Sequence, residues 1–556
     1  MRALPLAPRG RLLLAALLAG LGQASPGPLA AQSGVQVRGS ATINGDMYSQ
    51  SGLVQDRKPG QSGIINGSVS ITLPGGIEVP LSFFLSNQSS GFQHPFNQVG
   101  ASPRWSWGGA HAGYFSTRLS ELTLADARLL GAGVELNPGP LRLAVVSGLS
   151  QRASQIDSIL GRPGLFQQRL TAVQAGLGSE GGAMLWLTGM HAEDDPASRP
   201  LEGTVPGSPK PQENVVASVR FAVPVAGVFS LEGEVAGSAY SEDIRADTLD
   251  QEQLQLPSLL TNLFTPRTSS RADLAGTATV RITPSQTFDL GLTGRYVGPG
   301  YRSLGSNQLE TDVLDVLVSP SIRLPKASAS ASVGLRKNNL ADTRLLTTNR
   351  TIVRASGMVR PTNQFSVSAQ LSNYGVSATS NNDTLRIQNV SRSLSVTPMY
   401  AFRTGLAAHS ASVSLSYQDF TDENPVTGAT NANSTTTTSA THTLVFPAGL
   451  SFTTAGTLVT GTTGGYETEI FTVGETVGTR LLQQRLSVTG NVSYTRTVTT
   501  QLDTGVQGGV RLVYRLPTGG QINASTQIRR FDYQLRRNGV AGYTEVVTRV
   551  GYTISF

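Results

Sequence analysis

From about Val35 to the last residue, Phe556, apolar and polar side chains alternate with a period of two. In Y-T-E-V-V-T-R-V-G-Y-T-I-S-F, Tyr543 to Phe556, one side carries Val546, Thr548, Val550, Tyr552, Ile554 and Phe556. The other carries Glu545, Arg549, Gly551, Thr553 and Ser555. The same split sets Val510, Leu512, Tyr514 and Leu516 against Gly509, Arg511, Val513 and Arg515. It also sets Phe288, Leu290, Leu292 and Tyr296 against Asp289, Thr293 and Arg295. Phe229, Leu231 and Val235 likewise oppose Ser230, Glu232 and Glu234. Strict alternation of this length predicts strands with each face in a different environment. Helical periodicity is nearly absent; its best stretch, Leu256 to Phe264, falls inside a polar loop.

Proline and glycine punctuate the strands near Pro74, Pro138, Gly178–Gly182, Pro224, Pro284, Pro325, Pro361, Gly405, Pro447 and Pro517, with a weaker signal near Gly478. Proline interrupts a hydrogen-bonded ladder and glycine supplies positive φ, so these points read as tight turns. Most lie about 35 to 45 residues apart, room for two membrane-length strands and a longer opposite loop. Long polar segments fall midway, at Asp194–Asn214, Ser241–Arg271, Thr421–Thr438 and Arg537–Gly542. The expected fold is all-β: a large antiparallel transmembrane barrel of about 24 strands (roughly 22 to 26), with short periplasmic turns and longer extracellular loops. Residues 87–127 resist the pattern. Their W-S-W-G-G-A-H-A-G-Y-F run is either a further strand or part of an inward fold that narrows the barrel, with Trp105 and Trp107 as candidate constriction residues.

The N-terminus changes the picture by placing the chain outside the cytoplasm. Arg2, Arg9 and Arg11 precede the apolar run Leu12–Leu21, and small residues follow with cleavage expected after Ala24 or Ala31. That is the layout of a secretory signal peptide over 1–31, its core well short of the roughly 20 residues a spanning helix needs. Residues 32–556 are then one barrel domain, with no plug ahead of it. The chain has no cysteine, so an exported fold must rest on hydrogen bonding and burial. Only 14% of residues are charged and 39% hydrophobic, against about a quarter charged in an ordinary soluble domain. A barrel wetted on one face and greased on the other accounts for both shortages. An open sheet would leave unpaired edges, which hydrocarbon cannot satisfy; a soluble sandwich or solenoid is the competing fold.

The leader, the strand–turn rhythm and the final V-G-Y-T-I-S-F resemble the Gram-negative outer-membrane β-barrel class. The resemblance implies an outer-membrane location and a lipid surround. It also implies that the last strand, through Val550, Tyr552, Ile554 and Phe556, is read by the barrel-assembly machinery and pairs with the first.

The net charge of +7 comes mostly from arginines scattered through strands, which disfavours nucleic-acid binding. If the apolar side meets lipid, Arg220, Arg281, Arg295, Arg323, Arg336, Arg354, Arg511, Arg515 and Arg549 point inward. Glu232, Glu234, Asp289, Asp315 and Glu545 join them. Two readings stay open: the charges pair across strands and stiffen the wall, or the arginine excess lines a pore and favours anions. Tyr296, Tyr374, Tyr400, Tyr417, Tyr494 and Tyr514 suit interfacial girdles. No catalytic residue, cofactor or metal site is predicted. His94, His111, His191, His409 and His442 are dispersed, no G-x-S-x-G elbow occurs, and the acid pairs Asp194–Asp195 and Glu242–Asp243 lack calcium-loop spacing. The function expected is a passive pore for small solutes. The alternative is a barrel subunit or surface anchor of a secretion or attachment assembly, binding protein through its loops. An outer-membrane enzyme would need His94 or His111 beside an acid and a serine.

Overall fold

The computed structural model describes residues 35–53, 56–86, 98–125, 127–154, 164–198, 209–225, 227–249, 263–344, 346–379, 387–422, 432–517, 519–537 and 539–556. The expected leader, residues 87–97 with His94, and the middles of several loops lie outside them.

The described strands join a single antiparallel sheet, β1 to β27 in chain order, and the sheet closes on itself. At the seam, β1 (Gln36–Ser51) pairs with β27 (Val540–Ser555) in the register Ser40↔Ser555 to Ser51↔Thr544. Gly39 and Phe556 then exchange both backbone hydrogen bonds, at 2.8 and 3.1 Å. The short segments β4 (Gln98–Ala101) and β5 (Arg104–Trp105) both lie between β3 (Ile77–Ser86) and β6 (Gly108–Thr117), in one register. They are one stave broken at Ser102–Pro103, where proline has no N–H to give. The barrel therefore has 26 staves, at the upper edge of the expected range. At about 4.8 Å between strands and a tilt of about 40°, that makes a circumference of roughly 160 Å.

Prolines and glycines place the short turns as expected, with three exceptions. Ser106 and Trp107 form an unforeseen turn between β5 and β6. Gly478 lies inside β23 (Tyr466–Leu481), and the turn falls at Leu482–Arg485 instead. There Leu482, Gln483 and Gln484 take φ of 51°, 55° and 69°, a left-handed run built without glycine. The loop expected at Arg537–Gly542 is nearly absent, since β26 ends at Arg537 and β27 starts at Val540.

The two faces differ as the alternation requires. Val145, Leu187, Val235, Val492 and Val550 stand exposed on the outside, each more than half accessible. Among the described residues no helix is long and apolar enough to cross a membrane; the crossing is made by strands. Tyr296, Tyr400, Tyr417, Tyr494 and Tyr514 share the outer face. Tyr374 does not: it lies opposite Ile352 and on the parity of Ser372 and Arg354, facing inward. The expectation of a six-tyrosine girdle is corrected to five.

Among the described residues, the one sizeable buried cluster lies inside the barrel. Two segments, 118–125 after β6 and 298–312 before β15 (Val313–Leu324), fold inward and pack on the inner wall. Leu119, Leu122, Leu124, Tyr301 and Leu304 sit against Val146, Leu170, Ala172, Val216, Ala236 and Ala275 of that wall.

Candidate functional site: the inner wall and its clasp

Residues 118–125 and 298–312 are tied to each other and to the wall. Tyr301 Oη donates to Leu122 O at 2.9 Å, Ser303 Oγ to Thr123 O at 2.5 Å, and Ser306 Oγ to Glu121 O at 3.3 Å. Ala125 N donates to Gly305 O at 3.1 Å. From the wall, Gln174 Nε2 donates to Leu119 O at 2.9 Å, and Thr123 Oγ1 donates to Ser218 Oγ at 2.9 Å. Ser120 Oγ donates to the buried carboxylate of Glu234. Burial among apolar side chains pushes the Tyr301 hydroxyl well above the ordinary phenol range. Gly305 fits because a side chain there would collide: a Cβ would lie 2.6 Å from Thr123 O and 2.5 Å from Met190 Sδ.

Among the described residues of 87–127, residues 98–117 are wall and the inward fold takes in 118–125. Trp105 and Trp107 take no part in it. They flank the turn at Ser106, edge-to-face at 5.3 Å, at the far end of β6 from the clasp. Phe264 packs on Val215 and Ala239, whose neighbours Asn214 and Ser238 hydrogen-bond the clasp at Arg302 O, so Phe264 covers the opposite face of the wall.

The anticipated charged residues all lie on the strand parity that meets the clasp, and they divide by partner. Arg220 meets Glu232 at 2.6 Å and Glu180 at 3.6 Å. Arg336 meets Asp315 at 2.5 Å and Glu310 at 2.7 Å. Arg549 meets Asp46 at 2.7 Å across the seam. Looser pairs are Arg281–Asp289 at 3.7 Å and Arg295–Glu121 at 3.8 Å. Glu232, Glu234 and Glu121 border a polar hollow of about 440 Å³ beneath the clasp. Arg323, Arg354, Arg511 and Arg515 have no carboxylate partner among the described residues.

Beyond the clasp the wall changes character. A row runs Ser332–Arg354–Ser372–Ser393–Gln418 across β16 (Ala327–Asn338) to β20 (Ala407–Asp422). Neighbouring hydroxyls satisfy one another, as in Ser330–Ser356 at 2.8 Å and Ser372–Ser393 at 2.6 Å. Thr443–Thr453 and Thr472–Thr495, at 3.2 and 3.1 Å, continue the lining.

His111 has the neighbours an enzyme reading required. Its Nδ1 is 2.9 Å from Ser102 Oγ and its Nε2 is 3.4 Å from Glu135. The alternation did not reveal this, because Ser102 lies in the broken stave and Glu135 one strand beyond. Glu135 also binds Arg142 at 2.9 Å and Thr117 at 3.0 Å, and the imidazole stacks on Phe115 with centroids 4.9 Å apart. Among the described residues, no group of three or more histidines and acids could hold a metal ion.

The closed seam, the apolar outer face and the polar inner face define the class: a large closed antiparallel β-barrel of the membrane-spanning kind. No protein-family model matches the chain, and no curated protein matches it. Among solved structures it is similar to OpdK of Pseudomonas aeruginosa with vanillate, at 11% identity over 62% of this chain and 94% of that one, with a TM-score of 0.29. It is similar to OccK8 (OprE) of the same species at 9% identity over 70% and 98%, with a TM-score of 0.30. It is also similar to the siderophore receptor PirA of that species at 12% identity over 94% and 81%, with a TM-score of 0.36.

Proposed function

We propose that this barrel is a passive outer-membrane pore for small solutes with a preference for anions, exported by a cleaved leader at 1–31. The observation that carries the reading is the imbalance of partners on the inner face. Most acids there are held by an arginine, whereas Arg323, Arg354, Arg511 and Arg515 keep guanidinium groups without a carboxylate. Fixed positive charge on a pore wall lowers the barrier for anions and raises it for cations. Planar bilayers under a KCl gradient test this: the reversal potential should indicate chloride preference, and replacing all four arginines with alanine should abolish it. Cation preference that the four substitutions leave unchanged would refute the reading. A wild-type barrel that passes no sugar in liposome swelling but co-purifies with a protein would favour the assembly role instead.

Ser102, His111 and Glu135 favour a second reading, a hydrolytic site on the inner wall. Here His111 would take the Ser102 proton through Nδ1 while Glu135 orients the ring. Glu135 is already shared with Arg142 and Thr117, and His111 is only 8% exposed, so a cross-strand tie explains the trio equally. A fluorophosphonate probe separates them: labelling lost in Ser102→Ala supports hydrolysis, and absence of labelling leaves the tie.

A further inference from the structure

We propose that Arg354 and the serines around it form a subsite for polyhydroxylated anions, such as sugar acids. The inference rests on the pore reading and adds a solute class to it. Arg354 lies in a hollow of about 610 Å³ on the inner wall, within the range of small-molecule pockets. Among the described residues it is the only charged group lining that hollow. Ser332 and Ser372 sit directly across from it on the two adjacent strands, with Ser356 two residues along its own. Gln370 and Ser393 extend the polar floor on the far side.

The chemistry follows from the donors and acceptors. A guanidinium offers a planar fork that takes a carboxylate in a bidentate pair, and at Arg354 no carboxylate of the described residues occupies it. Serine hydroxyls and the Gln370 amide both donate and accept, so they can exchange hydrogen bonds with sugar hydroxyls in any order. A neutral sugar would gain only the second set of contacts, and a simple carboxylate only the first. A sugar acid gains both. Ser372 already pairs with Ser393 and Ser356 with Ser330, so these hydroxyls keep partners when the subsite is empty, and occupancy should be brief, as a pore requires.

The test is inhibition of KCl current through the intact barrel in planar bilayers, with gluconate, acetate and glucose as probes. Gluconate should half-block at a concentration at least tenfold lower than acetate or glucose. Arg354→Ala should erase that advantage, Arg354→Lys should retain part of it, and Ser372→Ala should weaken gluconate severalfold while leaving acetate unchanged. Gln527→Ala, on the inner face of β26 (Gly520–Arg537), should change nothing. Equal block by gluconate and acetate, or a gluconate block that survives Arg354→Ala, would overturn the subsite even in an anion-preferring pore. A closed or cation-preferring wild type would instead remove the pore reading beneath it.

Discussion

Replacing Leu119, Leu122 and Leu124 together with aspartate should release residues 118–125 from the wall, whereas Leu122→Asp alone should not. The segment's seven named hydrogen bonds contribute roughly 7 kcal/mol at about 1 kcal/mol each. Each buried leucine adds about 2 kcal/mol. An aspartate held at one of these sites must have its pKa raised by three to five units, at a cost of about 4–7 kcal/mol. A single substitution leaves about 11 kcal/mol of hold against that cost, and the segment stays seated. Three substitutions leave only the hydrogen bonds, about 7 kcal/mol, against roughly 12–20 kcal/mol. The clasp covers the inner wall from β6 to β15, over a third of the staves, so its loss should at least double single-channel conductance. Far-UV circular dichroism should stay the same, because none of the three leucines lies in a stave. Unchanged conductance in a folded triple variant, or full opening by Leu122→Asp alone, would refute the placement or the energetics.

Gly305→Ala should push the two inward segments apart by about 0.7 Å, since Cβ would otherwise lie 2.6 Å from Thr123 O. The strain of about 1–3 kcal/mol should appear as faster hydrogen exchange at the Ala125 amide, which donates to Gly305 O. Gln483→Gly should stabilise the barrel to denaturant by about 0.5–1 kcal/mol, because glycine tolerates the left-handed φ of 55° there. Asp46→Asn should free Arg549 on the inner face and shift the reversal potential further toward anions. Because that pair is solvent-exposed, the unfolding midpoint should barely move.

Much of this barrel was legible because two solvents impose a period of two. Once Val550, Tyr552 and Phe556 were assigned to lipid, the inward parity of Arg511, Arg515 and Arg549 followed without further information. Turns were legible where proline or glycine made them. The turn at Leu482–Arg485 was not, because three ordinary residues adopt positive φ under the constraint of the hairpin they close. Tyr374 defeated the composition argument for a similar reason: tyrosine suits a wet inner wall as well as a lipid interface, and only register separates the two. The clasp left a signal that went unread. Leu119, Leu122 and Leu124 are three leucines in a connection that would be polar if it lay in water.

The composition of the inner wall follows what covers it. Where the clasp lies, Ala172, Val216, Ala236 and Ala275 meet its apolar side chains, and the polar inward groups Gln174, Ser218 and Glu234 bond to the clasp itself, because a segment packed there leaves no water for them. Among the described residues this cluster reaches no further than Val313. From β16 onward serine, threonine, glutamine and arginine recur at the inward positions, and their hydrogen bonds need either each other or water. A polar group under the clasp instead finds its partner on the clasp, as Ser218 does in Thr123. The change in inner-face composition between β15 and β16 is therefore the boundary between a filled half and a wet half. It puts Arg354, Arg511 and Arg515 on the wet side, where an unpaired guanidinium is stable because water solvates it and available because no carboxylate of the described residues holds it.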